Sequence, residues 1–223
     1  EKMDLKLFLF FLIKKPTQSF INTLTRSVTP NLLHTPLRQF KNDQPSNAST
    51  DKFEIIKFHH VEFYCGDAIN TANRFMISLG MPMEYRSDQS TGNKLHASYV
   101  LKSNDLVFVF TAPYLIQDEL DLSDAKPSPF PGFSSKTAHD FFISHGLGVR
   151  AVCVEVEDAA TSHEICVSNG GESVLKPTCV RESCFMAEVK AYGNVVLRFV
   201  SFNENWKQNE NFLPYFEPFV SSK

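Results

Sequence analysis

The residues equipped for chemistry gather on two strand-like runs. Phe58-His59-His60-Val61-Glu62-Phe63-Tyr64-Cys65 alternates, with Val61, Phe63 and Cys65 on one face and Phe58, His60, Glu62 and Tyr64 on the other. Non-heme Fe(II) needs two histidines and a carboxylate with open positions for substrate and O2. Alternation sends His59 to the face opposite His60, and a lone imidazole is a poor ligand set. Both histidines are therefore read as structural. Glu62 and Glu155 suggest paired carboxylates for acid–base work, but the simpler reading pairs them with Arg198 or Arg150, or leaves them facing water. Ser144-His145-Gly146 ahead of Cys153 hints at a nucleophile, yet no strand–elbow–helix pattern surrounds it. Ser90-Thr91-Gly92-Asn93 reads as a turn and not a phosphate loop, because no helix follows. The pair Phe141-Phe142 reads as the buried side of a short helix. No catalytic, cofactor-binding or metal-ligating residue is assigned.

The elements that must position these side chains form a β-α-β-β-β unit. Asp67 can cap a helix whose apolar residues Ala68, Ile69, Ala72, Phe75, Met76 and Leu79 make one continuous stripe. Gly80 supplies the stop and Pro82 prevents continuation. Strands follow around 83–86, 96–102 and 106–111. Shifted by 91 positions the unit recurs: Val61 becomes Val152, Phe63 becomes Val154, and Asp67-Ala68 becomes Asp158-Ala159. Gly80 maps to Gly171, and Leu106, Phe108 and Val109 map to Leu197, Phe199 and Val200. A constant offset that carries cap, stop and last strand together marks a diverged tandem repeat.

The fold class is thus α+β: two βαβββ modules, each with its helix on one sheet face and the other face bare. Paired edge to edge, they curve into a half-barrel cup, the vicinal-oxygen-chelate architecture. Phe58, His60, Glu62 and Tyr64 would face inward from one module, and Val149, Ala151, Cys153 and Glu155 from the other. The tandem domain spans 53–202, with modules at 53–112 and 148–202 and a long loop at 113–147. Pro127, Pro129 and Pro131 make that loop a candidate for early proteolysis, and a short helix is expected at 137–145. Residues 203–223 read as a linker.

Composition limits the remaining possibilities. Of 223 residues, 43% are apolar and 21% charged, which excludes wholesale disorder. A net charge of −3 argues against a nucleic-acid-binding domain with a broad basic face. The 21 Phe against 1 Trp and 6 Tyr supply a core or an aromatic-lined pocket. Five cysteines without a C-x-x-C pair make a disulfide framework or a closed zinc site a poor fit and suit a reducing compartment, hence the cytoplasm. Residues 1–52 read as a leader and linker, either targeting or disordered, with Gln44 to Asp51 as the linker. Its apolar run 7–13 is too short for a bilayer, and its basic, acid-free stretch suits an organellar transit segment, with the plastid as the alternative location.

The blocks FHHVEFYCGDA, LGMP, STGN, HASYVL, FVFTAPY, SHGLGVRAV, EVEDA and AEVKAYGNVVLRFVSF resemble the N-terminal half of plant-type 4-hydroxyphenylpyruvate dioxygenases. The resemblance covers 53–202 and reaches into Phe212-Leu213-Pro214-Tyr215-Phe216-Glu217, which is similar to the family's lead into its second half. It implies an Fe(II)-dependent dioxygenase of tyrosine catabolism. That enzyme converts 4-hydroxyphenylpyruvate, an aromatic α-keto acid, and O2 to homogentisate and CO2, feeding plastoquinone and tocopherol synthesis. It also implies a homodimer. In that family the iron ligands lie in the C-terminal pair of modules, on first and last strands. Here His60 stands at such a position, but Ala151, Val107 and Arg198 occupy its counterparts, so none is carried over and no Fe(II) is expected on this chain. No nucleic-acid or membrane partner is expected. The alternative is a stand-alone glyoxalase-like protein that uses the cup as a small-molecule pocket.

Overall fold

The computed structural model describes residues 52–114, 125–182, 184–207 and 212–219. The leader through residue 51 lies outside the described residues, as does part of the inter-module loop. The first module is β1 (Ile55–Tyr64), α1 (Ala68–Leu79), β2 (Met83–Ser87), β3 (His96–Ser103) and β4 (Leu106–Pro113). Helix α2 (Ser135–His145) leads into β5 (Gly148–Val156), α3 (Ala159–Ser168), β6 (Ser173–Arg181), β7 (Cys184–Tyr192) and β8 (Val195–Phe202). A short α4 (Glu204–Lys207) and β9 (Glu217–Pro218) follow.

The strands form one nine-stranded sheet in the order β6-β7-β8-β5-β1-β4-β3-β2-β9. Its centre is the antiparallel pair β1–β5, where Val61 faces Val152 directly. These are the two residues that the 91-residue offset equates, so a local two-fold axis passes between them. The fold is α+β, as the repeat implies.

Local chemistry sets the helix ends. The Asp67 carboxylate accepts from the Asn70 amide at 3.0 Å, and Asp158 accepts from the amides of Ala160 and Thr161. Gly80 closes α1 in the left-handed region at φ 67°. In the second module Gly170, at φ 95°, takes that conformation after α3, not the Gly171 that the offset points to. The turn expected at 90–93 is a 3-10 turn over Gln89–Thr91 capped by Asp88.

The two sheet faces bury different things. Under α1, Phe75 packs on Phe63, Phe108 and Phe110, with ring centroids 6.2, 6.3 and 4.7 Å apart. The inner face gathers Val100, Val107, Val109, Cys153, Met186 and Val200 into the main core cluster. That cup is filled by the chain itself. Phe130 from the inter-module loop and Phe212, Leu213 and Phe216 from the last segment are buried in it. Pro127–Gly132 is therefore not the open loop its prolines suggested: Phe130 anchors it, and the Ser128 hydroxyl bonds His96 Nε2 at 2.8 Å. Likewise β9 pairs with β2, and the Phe219 amide donates to the Glu84 carbonyl at 2.7 Å, tying the last segment to the sheet edge. Among the described residues no helix is long and apolar enough to cross a membrane.

Candidate functional site: a buried ion cluster and a histidine pair

The inner face of the cup carries charge at its centre. Arg198 on β8 stands opposite Glu188 on β7 in the ladder, because Val195–Phe202 folds back on Cys184–Tyr192 about Gly193. Its Nε and NH2 both lie 2.7 Å from Glu188 Oε1, and NH2 lies 2.8 Å from Glu62 Oε2. Arg150 NH2 approaches the other Glu188 oxygen at 3.5 Å. The Thr111 hydroxyl donates to Glu62 Oε1 at 2.8 Å and is itself 2.8 Å from the Ser98 hydroxyl. The Phe130 ring lies under the guanidinium at 4.6 Å from its centroid. Two arginines and two glutamates balance to zero, the condition under which charges survive burial. Burial works against the Arg198 charge, and the carboxylates of Glu188 and Glu62 more than reverse it, holding its pKa above the usual arginine value.

Beside this cluster the β1 strand departs from alternation. Phe58 faces Val154 and His60 faces Cys153, so one extra β1 residue, His59, is bulged out of register. The bulge turns His59 to the side of His60, and their Nδ1 atoms meet at 2.7 Å. The sequence reading had put His59 on the opposite face; strict alternation fails at an inserted residue. Arg198 NH1 lies 3.4 Å from His60 Nε2 and can only donate. His60 therefore carries its proton on Nδ1 and donates to His59 Nδ1, which leaves the His59 N–H on Nε2. Burial first, then Lys57 and Arg198, hold His59 at about 3, and burial with His59 and Arg198 pulls His60 well below its ordinary value. Both rings are neutral at pH 7. Burial also pushes the Cys153 thiol above its ordinary value, so it rests as a neutral thiol.

The remaining candidates lie apart. Glu155 pairs with Lys57 at 3.2 Å, away from Glu62, so the two carboxylates do not meet. His145 Nε2 bonds the Asn194 amide at 2.9 Å, the Ser144 hydroxyl bonds the Asp140 carbonyl, and neither is among the partners of Cys153. Phe141 is buried against Tyr64, while Phe142 lies over Gly66. Sequence reasoning missed Glu188, although a signal was there: Glu188 and Arg198 are equidistant from Gly193, as cross-strand partners in a hairpin must be.

Among the described residues, His59, His60 and Cys153 are the group whose ligand atoms lie together, all within 4.8 Å. This set contains no carboxylate, and Glu62 and Glu188 are committed to Arg198. The described residues therefore do not fit the two-histidine, one-carboxylate arrangement of non-heme Fe(II).

Similarity to known proteins agrees with the fold. The chain is 48% identical over 174 residues to 4-hydroxyphenylpyruvate dioxygenase of Arabidopsis thaliana, covering 77% of this chain and 39% of that protein. Against the protein of the same name from Daucus carota it is 44% identical over 178 residues, covering 80% of this chain and 39% of that one. This chain matches the N-terminal half of the plant 4-hydroxyphenylpyruvate dioxygenases. It spans 39% of the length of those relatives. No family model matches it. Among solved structures, a triple mutant of 4-hydroxymandelate synthase from Streptomyces coelicolor aligns with a TM-score of 0.51 at 19% identity. The alignment covers 65% of this chain and 38% of that one, and the shared fold is that of the vicinal-oxygen-chelate proteins.

Proposed function

We propose that this chain serves as the N-terminal domain of a 4-hydroxyphenylpyruvate dioxygenase, contributing architecture and assembly while iron is held elsewhere in the enzyme. The complete enzyme would convert 4-hydroxyphenylpyruvate and O2 to homogentisate and CO2, and would act as a homodimer in the cytoplasm, or in the plastid if the leader directs it there. The observation that carries this reading is the centre of the cup. A cationic guanidinium, clamped by Glu188 and Glu62, stands there, and a guanidinium offers no open coordination position for a keto acid or O2. Redox activation of O2 is what bound iron supplies, and this chain's residues take no part in it. Their work is to hold a closed, rigid half-barrel against which a catalytic half can be fixed.

The alternative, a stand-alone pocket protein, is not favoured. The centre of the cup is taken by Phe130, Phe212, Leu213 and Phe216, and the hollow of ≈ 690 Å³ beside Phe212 is open rather than enclosed. The test is homogentisate formation with Fe(II) and ascorbate, comparing the purified chain with the same chain joined to the C-terminal half of a plant relative. Product from the joined protein alone is the expected result. Comparable turnover by the chain alone would overturn the proposal.

A further inference from the structure

The group made by the β1 bulge has its own chemistry, separate from the ion cluster and independent of the function proposed above. We propose that His59, His60 and Cys153 form a binding site for a soft monovalent cation of the Cu(I) class. The bulge brings both imidazoles to one side, and Cys153 sits directly opposite His60 in the ladder, so three donors from two central strands converge within 4.8 Å. Bonds of about 2.0 Å to nitrogen and 2.3 Å to sulfur need the two Nδ1 atoms, now 2.7 Å apart, to part by just under an ångström and the sulfur to draw in by about as much, which side-chain rotation supplies. Two imidazoles and a thiolate, with no oxygen ligand, are a soft set.

Charge selects the cation. Thiolate and a monovalent ion cancel, leaving the balanced Arg198, Arg150, Glu62 and Glu188 cluster undisturbed. A divalent ion would leave an uncompensated positive charge next to Arg198 in the core. Phe202 and Phe212 stand over His59 at 5.7 and 5.1 Å between ring centroids, an apolar shell that suits a reduced metal. The way in is an open hollow of ≈ 690 Å³ whose wall includes His59, Lys102 and Trp206.

Binding balances without electron transfer. The Cys153 S–H bond breaks, its proton goes to solvent, and the metal–sulfur bond forms. The His60 proton shifts from Nδ1 to Nε2, and the 3.4 Å contact from Arg198 lapses while the guanidinium keeps its carboxylates at 2.7 and 2.8 Å.

The experiment uses the whole chain, fully reduced and oxygen-free, with the more accessible Cys166 and Cys179 changed to Ser. Cu(I) is presented as its coloured bicinchoninate complex, and bleaching reports transfer. One equivalent per chain should transfer, and C153A should weaken binding by at least about 100-fold, because losing an outer-shell partner alone costs about 10–100-fold. Zn(II) offered from a chromophoric chelator should stay with the chelator. Circular dichroism checks that C153A is folded. If it is not, H59L, at the edge of the hollow, is judged by the same criterion. No transfer, transfer insensitive to the variant, or equal uptake of Zn(II) would overturn the proposal.

Discussion

Replacing Arg198 by Met tests the buried ion cluster most directly. Methionine keeps the unbranched stem of the side chain as far as the place of Nε, so the loss is that of the guanidinium, its charge and its contact with Phe130. Among the described residues, Glu62 would then retain the Thr111 hydroxyl at 2.8 Å, and Glu188 would retain Arg150 at 3.5 Å. Both carboxylates are almost fully buried, with side-chain exposures of 0% and 7%. Breaking a buried pair by removing one partner costs about 3–5 kcal/mol, because a desolvated charge is stranded. For a domain of this size that lowers Tm by roughly 6–20 °C, at about 2–4 °C per kcal/mol. Urea unfolding followed by circular dichroism measures the loss. The double variant R198M/E62Q removes the carboxylate stranded beside Thr111 and leaves Glu188 balanced by Arg150, and should recover at least half of it. A loss under about 1 kcal/mol for R198M, the range of an exposed pair, would refute the reasoning. So would a double variant no more stable than the single one.

Three further outcomes follow from particular contacts. Burial holds His96 at about 3 against an ordinary 6.5, so the unfolded chain takes up the proton first and stability is lost as pH falls from about 6.5 toward 3. Each such histidine steepens the loss by up to about 1.4 kcal/mol per pH unit, and H96N should flatten the measured slope by about one histidine's worth. A Cβ at Gly66 would meet the Phe142 ring at 2.6 Å, so G66A should cost about 1–3 kcal/mol by overpacking, with G66A/F142A cheaper than the sum of the two single changes. Truncating the buried Phe130 to Ala should cost about 3–5 kcal/mol and open Pro127–Gly132 to early cleavage in limited proteolysis, whereas the intact chain resists there.

The parts of the fold that repeat were legible in the sequence, and the parts that interrupt the repeat were not. Asp67, Gly80 and the apolar stripe of α1 define that helix to the residue, because caps and periodicity are local signals. The offset of 91 foretold two modules, and the structure sets the equated Val61 and Val152 opposite each other. Arg198 and Glu62 could be suspected of pairing because both fall on the bare face. The His59 bulge could not be seen, since an inserted residue leaves composition and spacing unchanged and shifts only the ladder. The plug could not be seen either. Phe130 and Phe212 to Phe216 sit in Pro-interrupted segments with no periodicity, and their burial comes from distant strands rather than from their neighbours.

The plug and the ion cluster together close the centre of the half-barrel. Two packed modules leave an inner face that is too polar to be covered by aromatic rings alone, because Glu62, Glu188 and Thr111 line it. A bound cation would neutralise the acids but would need exchangeable ligands and a path to solvent. Arg198 supplies a cation that cannot dissociate, and its flat guanidinium gives Phe130 a surface on which to close the cup. The same arrangement that removes a coordination site thus gives the aromatic plug a platform. Under the function proposed above, a half built this way contributes rigidity to an enzyme whose reacting centre lies elsewhere.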